Sequence, residues 1–371
     1  MASKSTVVDI HTHIYPPSYL SLLRSRTEVP FLLDLPEGSA PPRLIILPSD
    51  NDPSLPPESR GRPIDASYSS VQKKLQFMDN HKINTSVISL ANPWLDFLSP
   101  KDGPEWAHRI NNELEQICAQ NHGRIYAFAT LPLSAKPSDV VAEIHRIKPH
   151  LHIKGVIIGT TGLGSGLDDP NLDSIYAALE EEQRLVFLHP HYGLPASVYG
   201  PRASEYGHVL PLSLGFPMEA TIAFTRMWLS GVFDRFPKLK VLIAHAGGTI
   251  PFLAGRVDSC VHHERHFPAQ SNGNRGPKKT LDLVLQENVW LDAVVYSETS
   301  VKAAVERVGK EKVLFGTDHP FFPPLEEGKV EWASVKTNID AATGAQDGSG
   351  SRLILGENAA QLLDLEVAWL D

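Results

Sequence analysis

Five polar residues stand where apolar β-type runs end, and their types suit one chemistry. VVDIHTHIYPP (residues 7–17) carries His11 and His13 on alternate positions; His189 ends LVFLHP, His245 lies in KVLIAHA, and Asp318 ends VLFGTD. In an extended strand alternate side chains share a face, so His11 and His13 point the same way, roughly 7 Å apart along the backbone. Two imidazoles on one face can close on a single ion. Three imidazoles and a carboxylate are donors for a borderline divalent cation such as zinc, with positions left for water or substrate. The expected ligands are therefore His11, His13, His189 and Asp318. His245 is expected to act beside the ion as an acid/base or hydrogen-bonding group.

The elements that must position these residues alternate. Eight strand-like runs cover residues 7–11, 85–91, 125–131, 155–159, 185–190, 240–246, 289–295 and 313–318, with amphipathic helical stretches between them. Eight β/α repeats with near-continuous apolar strands predict an α/β fold of the (β/α)8 TIM-barrel type rather than an open doubly wound sheet. All five residues then fall on the C-terminal rim, where barrel sites are built. A single domain over 1–371 is expected, with a nine-proline insertion at 25–63 after the first strand that overhangs the rim, and a second long loop at 191–217 after the fifth. A two-metal site would want a modified lysine at the end of the fourth strand. GVIIGTTG offers none there, and Lys154 precedes the strand and faces the other end, so one ion is expected. His191 and His319 adjoin ligands and are read as loop or supporting residues.

Composition narrows the function further. Hydrophobic residues make up 42% and charged residues 21% of the 371, and no apolar run approaches the ~20 residues of a membrane span. A net charge of −9 argues against a sequence-independent hold on nucleic acid. The start MASKSTVV lacks an apolar signal core, so a cytoplasmic location is expected. Cys118 and Cys260 match no metal or redox spacing and read as buried fillers; the sequon Asn84-Thr85-Ser86 opens an apolar strand and reads as a chance match. GTTGLGSGLDD (159–169) lacks the G-K-[ST] ending of a phosphate loop and reads as a βα connection. Most of the 16 histidines, His262, His263 and His266 among them, are expected to be solvated.

The motifs VDIHTH, FLHPHYG, IAHAGG and FGTDHPFF, in this order on these strands, resemble the amidohydrolase superfamily, specifically its branch of metal-dependent non-oxidative decarboxylases acting on aminocarboxymuconate semialdehyde and resorcylates. The longer strings DIHTHIYPPSYL, VISLANPWLDFL, FLHPHYGLPASVYGPR, LDAVVYSE and FGTDHPFFPP are similar to the fungal members of that branch acting on uracil-5-carboxylate (isoorotate). The resemblance implies a zinc-dependent carboxy-lyase releasing uracil and CO2, with the ion, zinc or alternatively manganese, on His11, His13, His189 and Asp318. It implies catalytic roles for Asp318 and His245 and substrate contacts from Asn92, Phe321, Arg62 and Arg256, the arginines from this or a neighbouring subunit. It further implies a small pyrimidine or aromatic carboxylate as substrate. Charge and composition give no nucleic-acid or membrane partner as the expectation, and the overhanging loops after the first and fifth strands make a homodimer or higher homo-oligomer the expected assembly. A hydroxybenzoate such as resorcylate is the alternative substrate. A mononuclear lactone or amide hydrolase is the alternative reaction, since the same ligands can activate water.

Overall fold

The computed structural model describes residues 6–36, 40–264, 276–326, 328–346 and 348–368. His266, part of the 25–63 insertion and both chain ends lie outside the described residues. Eight strands form one parallel sheet in strictly sequential order: β1 (Val8–Ile14), β2 (Thr85–Leu90), β3 (Ile125–Thr130), β4 (Ile153–Gly159), β5 (Leu185–His189), β6 (Val241–Ile243), β7 (Val289–Asp292) and β8 (Val313–Leu314). Every residue of β1, β2 and β3 is buried, which is why these strands read as unbroken apolar runs. The sheet closes where the chain after β8 rejoins β1. Ile10 N donates to Phe315 O (3.1 Å), Asp318 N to His11 O (2.7 Å) and His13 N to His319 O (2.8 Å). The result is the expected closed (β/α)8 barrel.

Helices cover the outside. The longest between β2 and β3 runs Gly103–Gln120, and Val71–Asn80, which leads into β2, starts at Ser70, whose side chain accepts from Lys73 N. Gly231, at φ +75°, divides the helix Phe216–Leu229 from the short helix Val232–Arg235. Two local expectations are corrected. The sixth strand stops at Ile243, because His245 and Ala246 take left-handed backbone angles (φ +56° and +54°) that no strand accommodates. Cys118 is buried as expected, but Cys260 is exposed on the helix Ile250–His263.

Within residues 25–63 three short antiparallel strands, Phe31–Leu33, Arg43–Ile45 and Arg62–Pro63, form a separate sheet. Buried Asn84 is structural, accepting from Val7 N (2.9 Å) and donating to Ala368 O (3.0 Å). The glycine-rich loop is pinned by Arg226, which pairs with Asp168 (2.6 Å) and donates to Ser165 O (2.8 Å), so its turns serve packing. Among the described residues no helix is long and apolar enough to cross a membrane.

The barrel is closely packed at its seam. A Cβ built on Gly316 falls 2.7 Å from His11 Cβ and 2.8 Å from Val294 Cγ2, so only glycine lets the chain after β8 pass behind His11. Gly316→Ala is expected to cost ~1–3 kcal/mol by overpacking, read as a lower midpoint in urea denaturation; an unchanged midpoint refutes the close-approach argument.

Candidate metal centre

His11 and His13 lie on β1, His189 ends β5, and Asp318 follows β8 in a left-handed conformation (φ +59°). One ligand atom from each of the four lies within 4.8 Å of the others, and all four residues are buried. His11 Nε2 and His13 Nε2 each stand 3.4 Å from Asp318 Oδ1. The three rings meet edge to face with centroids 5.0–5.1 Å apart.

The hydrogen bonds on the far side of each ring decide what faces the centre. His11 Nδ1 donates to Asp292 Oδ2 (2.6 Å), His189 Nδ1 donates to Pro190 O (2.8 Å), and His13 Nδ1 is 3.0 Å from Ser89 Oγ. The Nε2 atoms of His11, His13 and His189 are buried and have no hydrogen-bond partner among the described residues. Three ring nitrogens without hydrogen-bond partners and a carboxylate oxygen converge on one point, and once the rings are deprotonated they make the donor set that a divalent ion satisfies. Without a cation such a cluster is costly to bury. The residues fit a metal ion.

Electrostatics agree. Burial alone would lower His11, but the carboxylates of Asp318 and Asp292 outweigh it and hold the imidazole up at about 10. Burial lowers His13 to about 4 and His189 well below its ordinary value. Burial would raise Asp318, yet His11, with His13 and His245, holds its carboxyl well below the usual carboxylate range. The centre is a negative well that favours any cation small enough to enter it.

Around this centre the structure brings most of the expected residues together. His245 Nε2 lies 3.8 Å from Asp318 Oδ2, its ring 5.2 Å from that of His11, and its Nδ1 is buried without a partner among the described residues. Asn92 is buried after β2, and its Nδ2 donates one N–H to His191 O (2.5 Å), which leaves the amide oxygen and a second N–H for a ligand. Phe321 packs edge-on against His13 (5.6 Å), and the Arg62 guanidinium sits 5.1 Å above the Phe321 ring. Arg62, from the small sheet of the insertion, thus reaches the site within one chain. Arg256 does not: it is exposed on the helix Ile250–His263, and no hydrogen bond or ion pair joins it to the described site residues.

Four supporting residues were not anticipated from sequence. Asp292 orients His11 and also accepts from Ala246 N and Val294 N (3.0 Å each), fixing the left-handed turn that carries His245. Its signal was present as the lone charge in VWLDAVV. Asp9 accepts from Thr317 N (3.0 Å) and Thr317 Oγ1 (2.7 Å), tying β1 to the residue before Asp318; burial, only partly offset by Thr317, raises it to about 6. Glu219 accepts from His191 N (2.9 Å), Gly193 N (2.5 Å) and Thr160 Oγ1, holding the loop after β5 in place. Lys74 is 1% exposed on the helix Val71–Asn80, and its ammonium bonds Thr12 Oγ1 and His319 Nδ1 (2.5 Å). Thr12 separates the two histidine ligands and His319 follows Asp318, so one lysine bridges the seam between the ligand-bearing segments. Nothing in the sequence marked it, since an amphipathic helix normally directs lysine to solvent.

Both expected support residues are buried. His319 packs tilted against Phe77 (3.7 Å) and Trp332 (4.7 Å), and His191 packs against Trp94 (4.8 Å) with its Nδ1 3.0 Å from Thr161 Oγ1. Lys154 donates to Asp364 O (2.9 Å) and takes no part in the centre.

Asp292→Asn is expected to lower metal affinity ~10–100-fold, because a neutral amide no longer fixes and enriches the His11 donor; chelator competition measures it, and an unchanged affinity removes Asp292 from the site. Lys74→Met leaves Thr12 and His319 without their shared donor, and is expected to cost ~1–3 kcal/mol of stability and to reduce metal occupancy after gel filtration. Full occupancy with unchanged stability refutes the bridging role.

Comparison with known proteins agrees with this geometry. The family described as Amidohydrolase (Amidohydro_2) matches residues 8–365. The 2-amino-3-carboxymuconate-6-semialdehyde decarboxylase of Dictyostelium discoideum is 30% identical over 267 residues, covering 72% of this chain and 70% of that protein. The gamma-resorcylate decarboxylase of Rhizobium radiobacter is 27% identical over 263 residues, 67% of this chain and 76% of its own length. The crystal structure of Metarhizium anisopliae IDCase in apo form superimposes with a TM-score of 0.91 at 47% identity, covering 98% of both chains. The barrel, the convergent cluster of three histidines and one aspartate, and the match across nearly the whole length lead to one conclusion: this chain belongs to the amidohydrolase family.

Proposed function

We propose that this protein is a metal-dependent, non-oxidative decarboxylase that converts uracil-5-carboxylate to uracil and CO2. The observation that carries the chemistry is the set of three unpartnered Nε2 atoms facing the Asp318 carboxylate at the barrel mouth. The substrate rests on the 47% identity to an isoorotate decarboxylase over 98% of the chain. The ion is proposed to be a single zinc, whose preference for imidazole and carboxylate donors the four residues meet; manganese(II) accepts the same donors and is the alternative. When bound, it supplies a Lewis acid that neutralises the substrate carboxylate and the adjacent C4 oxygen.

The remaining steps belong to the chain's own residues. Phe321 lines one wall of the site and packs against the face of the pyrimidine, while the Asn92 oxygen accepts from a ring N–H. Arg62, at the rim, takes the carboxylate of the arriving substrate. The C5–carboxyl bond breaks and a C5–H bond forms, so one proton is consumed for each CO2 released. Asp318, held ionised by its histidines, cannot supply that proton unaided; His245, 3.8 Å away, delivers it to the carboxylate, which passes it to C5. The insertion at 25–63 acts as a cover over this face. The protein is proposed to work in the cytoplasm as a homodimer or higher oligomer, with exposed Arg256 reaching a neighbouring copy's site.

Incubation of the metal-loaded protein with uracil-5-carboxylate is expected to release uracil and CO2 in equal amounts, with little turnover of 2,6-dihydroxybenzoate. The reverse preference moves the protein to the resorcylate group, and lactone or amide hydrolysis without CO2 release refutes the decarboxylase reading. His245→Asn is expected to retain the metal and lose ~10²–10⁴-fold in kcat, the usual contribution of a positioned proton donor. Unchanged kcat removes His245 from the proton route.

A further inference from the structure

A second group of metal-ligating side chains lies at the opposite end of the barrel. His122 precedes β3 and His152 precedes β4, so both stand at the N-terminal ends of their strands. The seven-residue β4 separates this end from the metal centre by roughly 20 Å. His152 Nδ1 donates to Glu115 Oε1 (2.8 Å), and the same carboxylate takes the His152 backbone N–H (3.2 Å). His122 Nε2 donates to Glu366 Oε2 (2.9 Å). With both rings neutral, each carboxylate takes the outer N–H of its histidine and each inner nitrogen keeps a lone pair. Those inner atoms, His122 Nδ1 and His152 Nε2, face each other 3.3 Å apart, with the two rings at 87°.

Two nitrogen lone pairs at that distance repel unless positive charge lies between them. We propose that His122 and His152 form a second cation site, for a borderline divalent transition ion such as Zn2+. The spacing is the physical argument: metal–nitrogen bonds of ~2.0–2.1 Å in tetrahedral geometry place two ligand nitrogens ~3.3 Å apart. The surroundings repeat the carboxylate–histidine–metal arrangement that fixes ring orientation and raises ligand basicity. Water fills the remaining positions, because the His122 side chain is 63% exposed. Glu366 is tied at its backbone to the Tyr126 hydroxyl (3.0 and 3.1 Å), so an ion here links the C-terminal segment to the base of the barrel. The site is independent of the decarboxylase reading.

The full-length protein, loaded with one equivalent of Zn2+ and checked by metal analysis, is titrated with further Zn2+ by calorimetry beside His122→Gln and His152→Phe. The wild type is expected to bind a second equivalent more weakly than the first. Each variant is expected to lose that event, or to weaken it at least ~10-fold, while keeping the first equivalent and the wild-type melting temperature. Exposed His122 makes its variant a safe control for folding. A wild type that stops at one equivalent means that a proton bridges the pair and overturns the proposal. A second equivalent that survives both substitutions places the ion elsewhere and overturns it too.

Discussion

The hydrogen bond from Asp318 N to His11 O, 2.7 Å long, joins the last strand segment to the first, and the metal centre depends on it. His11 and His13 come from one side of this seam and Asp318 from the other, more than 300 residues later in the chain. Regular pairing there is sparse: β8 spans only Val313–Leu314, and one parallel bridge, Thr12 to His319, continues the contact. Side chains supply what the ladder lacks. Asp9 holds Thr317, Lys74 spans Thr12 and His319, and Gly316 lets the backbone pass behind His11. Each contact fixes the distance between the histidine pair and the carboxylate, which is the quantity a metal ion reads.

The same seam concentrates charge where a protein interior resists it. Asp9, Asp292, Asp318, Lys74 and four histidines share a small volume, most of them fully buried. Burying such groups is unfavourable unless each is paired or faces a cation. The network meets that condition by dividing the carboxylates. Asp292 and Asp9 spend their oxygens on backbone N–H groups, His11 and Thr317, whereas Asp318 turns to the centre. The left-handed backbone at Asp318 and His245 belongs to this arrangement.

The residues proposed to meet the substrate come from loops rather than from the strands. Asn92 and Phe321 follow β2 and β8, and Arg62 arrives from the insertion after β1 to pack on Phe321, so three separate connections approach the metal centre. A (β/α)8 scaffold allows this because its C-terminal loops vary without disturbing the sheet. Glu219 shows how rigid such a loop becomes once its backbone donors are met: its one carboxylate gathers Thr160, His191 and Gly193.

The sequence by itself determined the class of fold and the identity of the ligands. Hydrophobic periodicity is local, strands buried on both faces read as apolar runs, and a metal-binding histidine interrupting such a run is conspicuous; hence His11, His13, His189 and Asp318 were legible one strand at a time. The supporting partners were not. Lys74 reads as an ordinary helix lysine, and its burial follows only from where Val71–Asn80 packs on the seam. Asp292 serves His11 from the far end of the chain, a relation between strands that no local pattern encodes. The left-handed turn at His245, the commitment of the Asn92 amide to His191 and the facing nitrogens of His122 and His152 are likewise products of packing. Residue types are set by local chemistry, but the direction in which a side chain points, and what it meets there, is fixed only when distant segments close on one another.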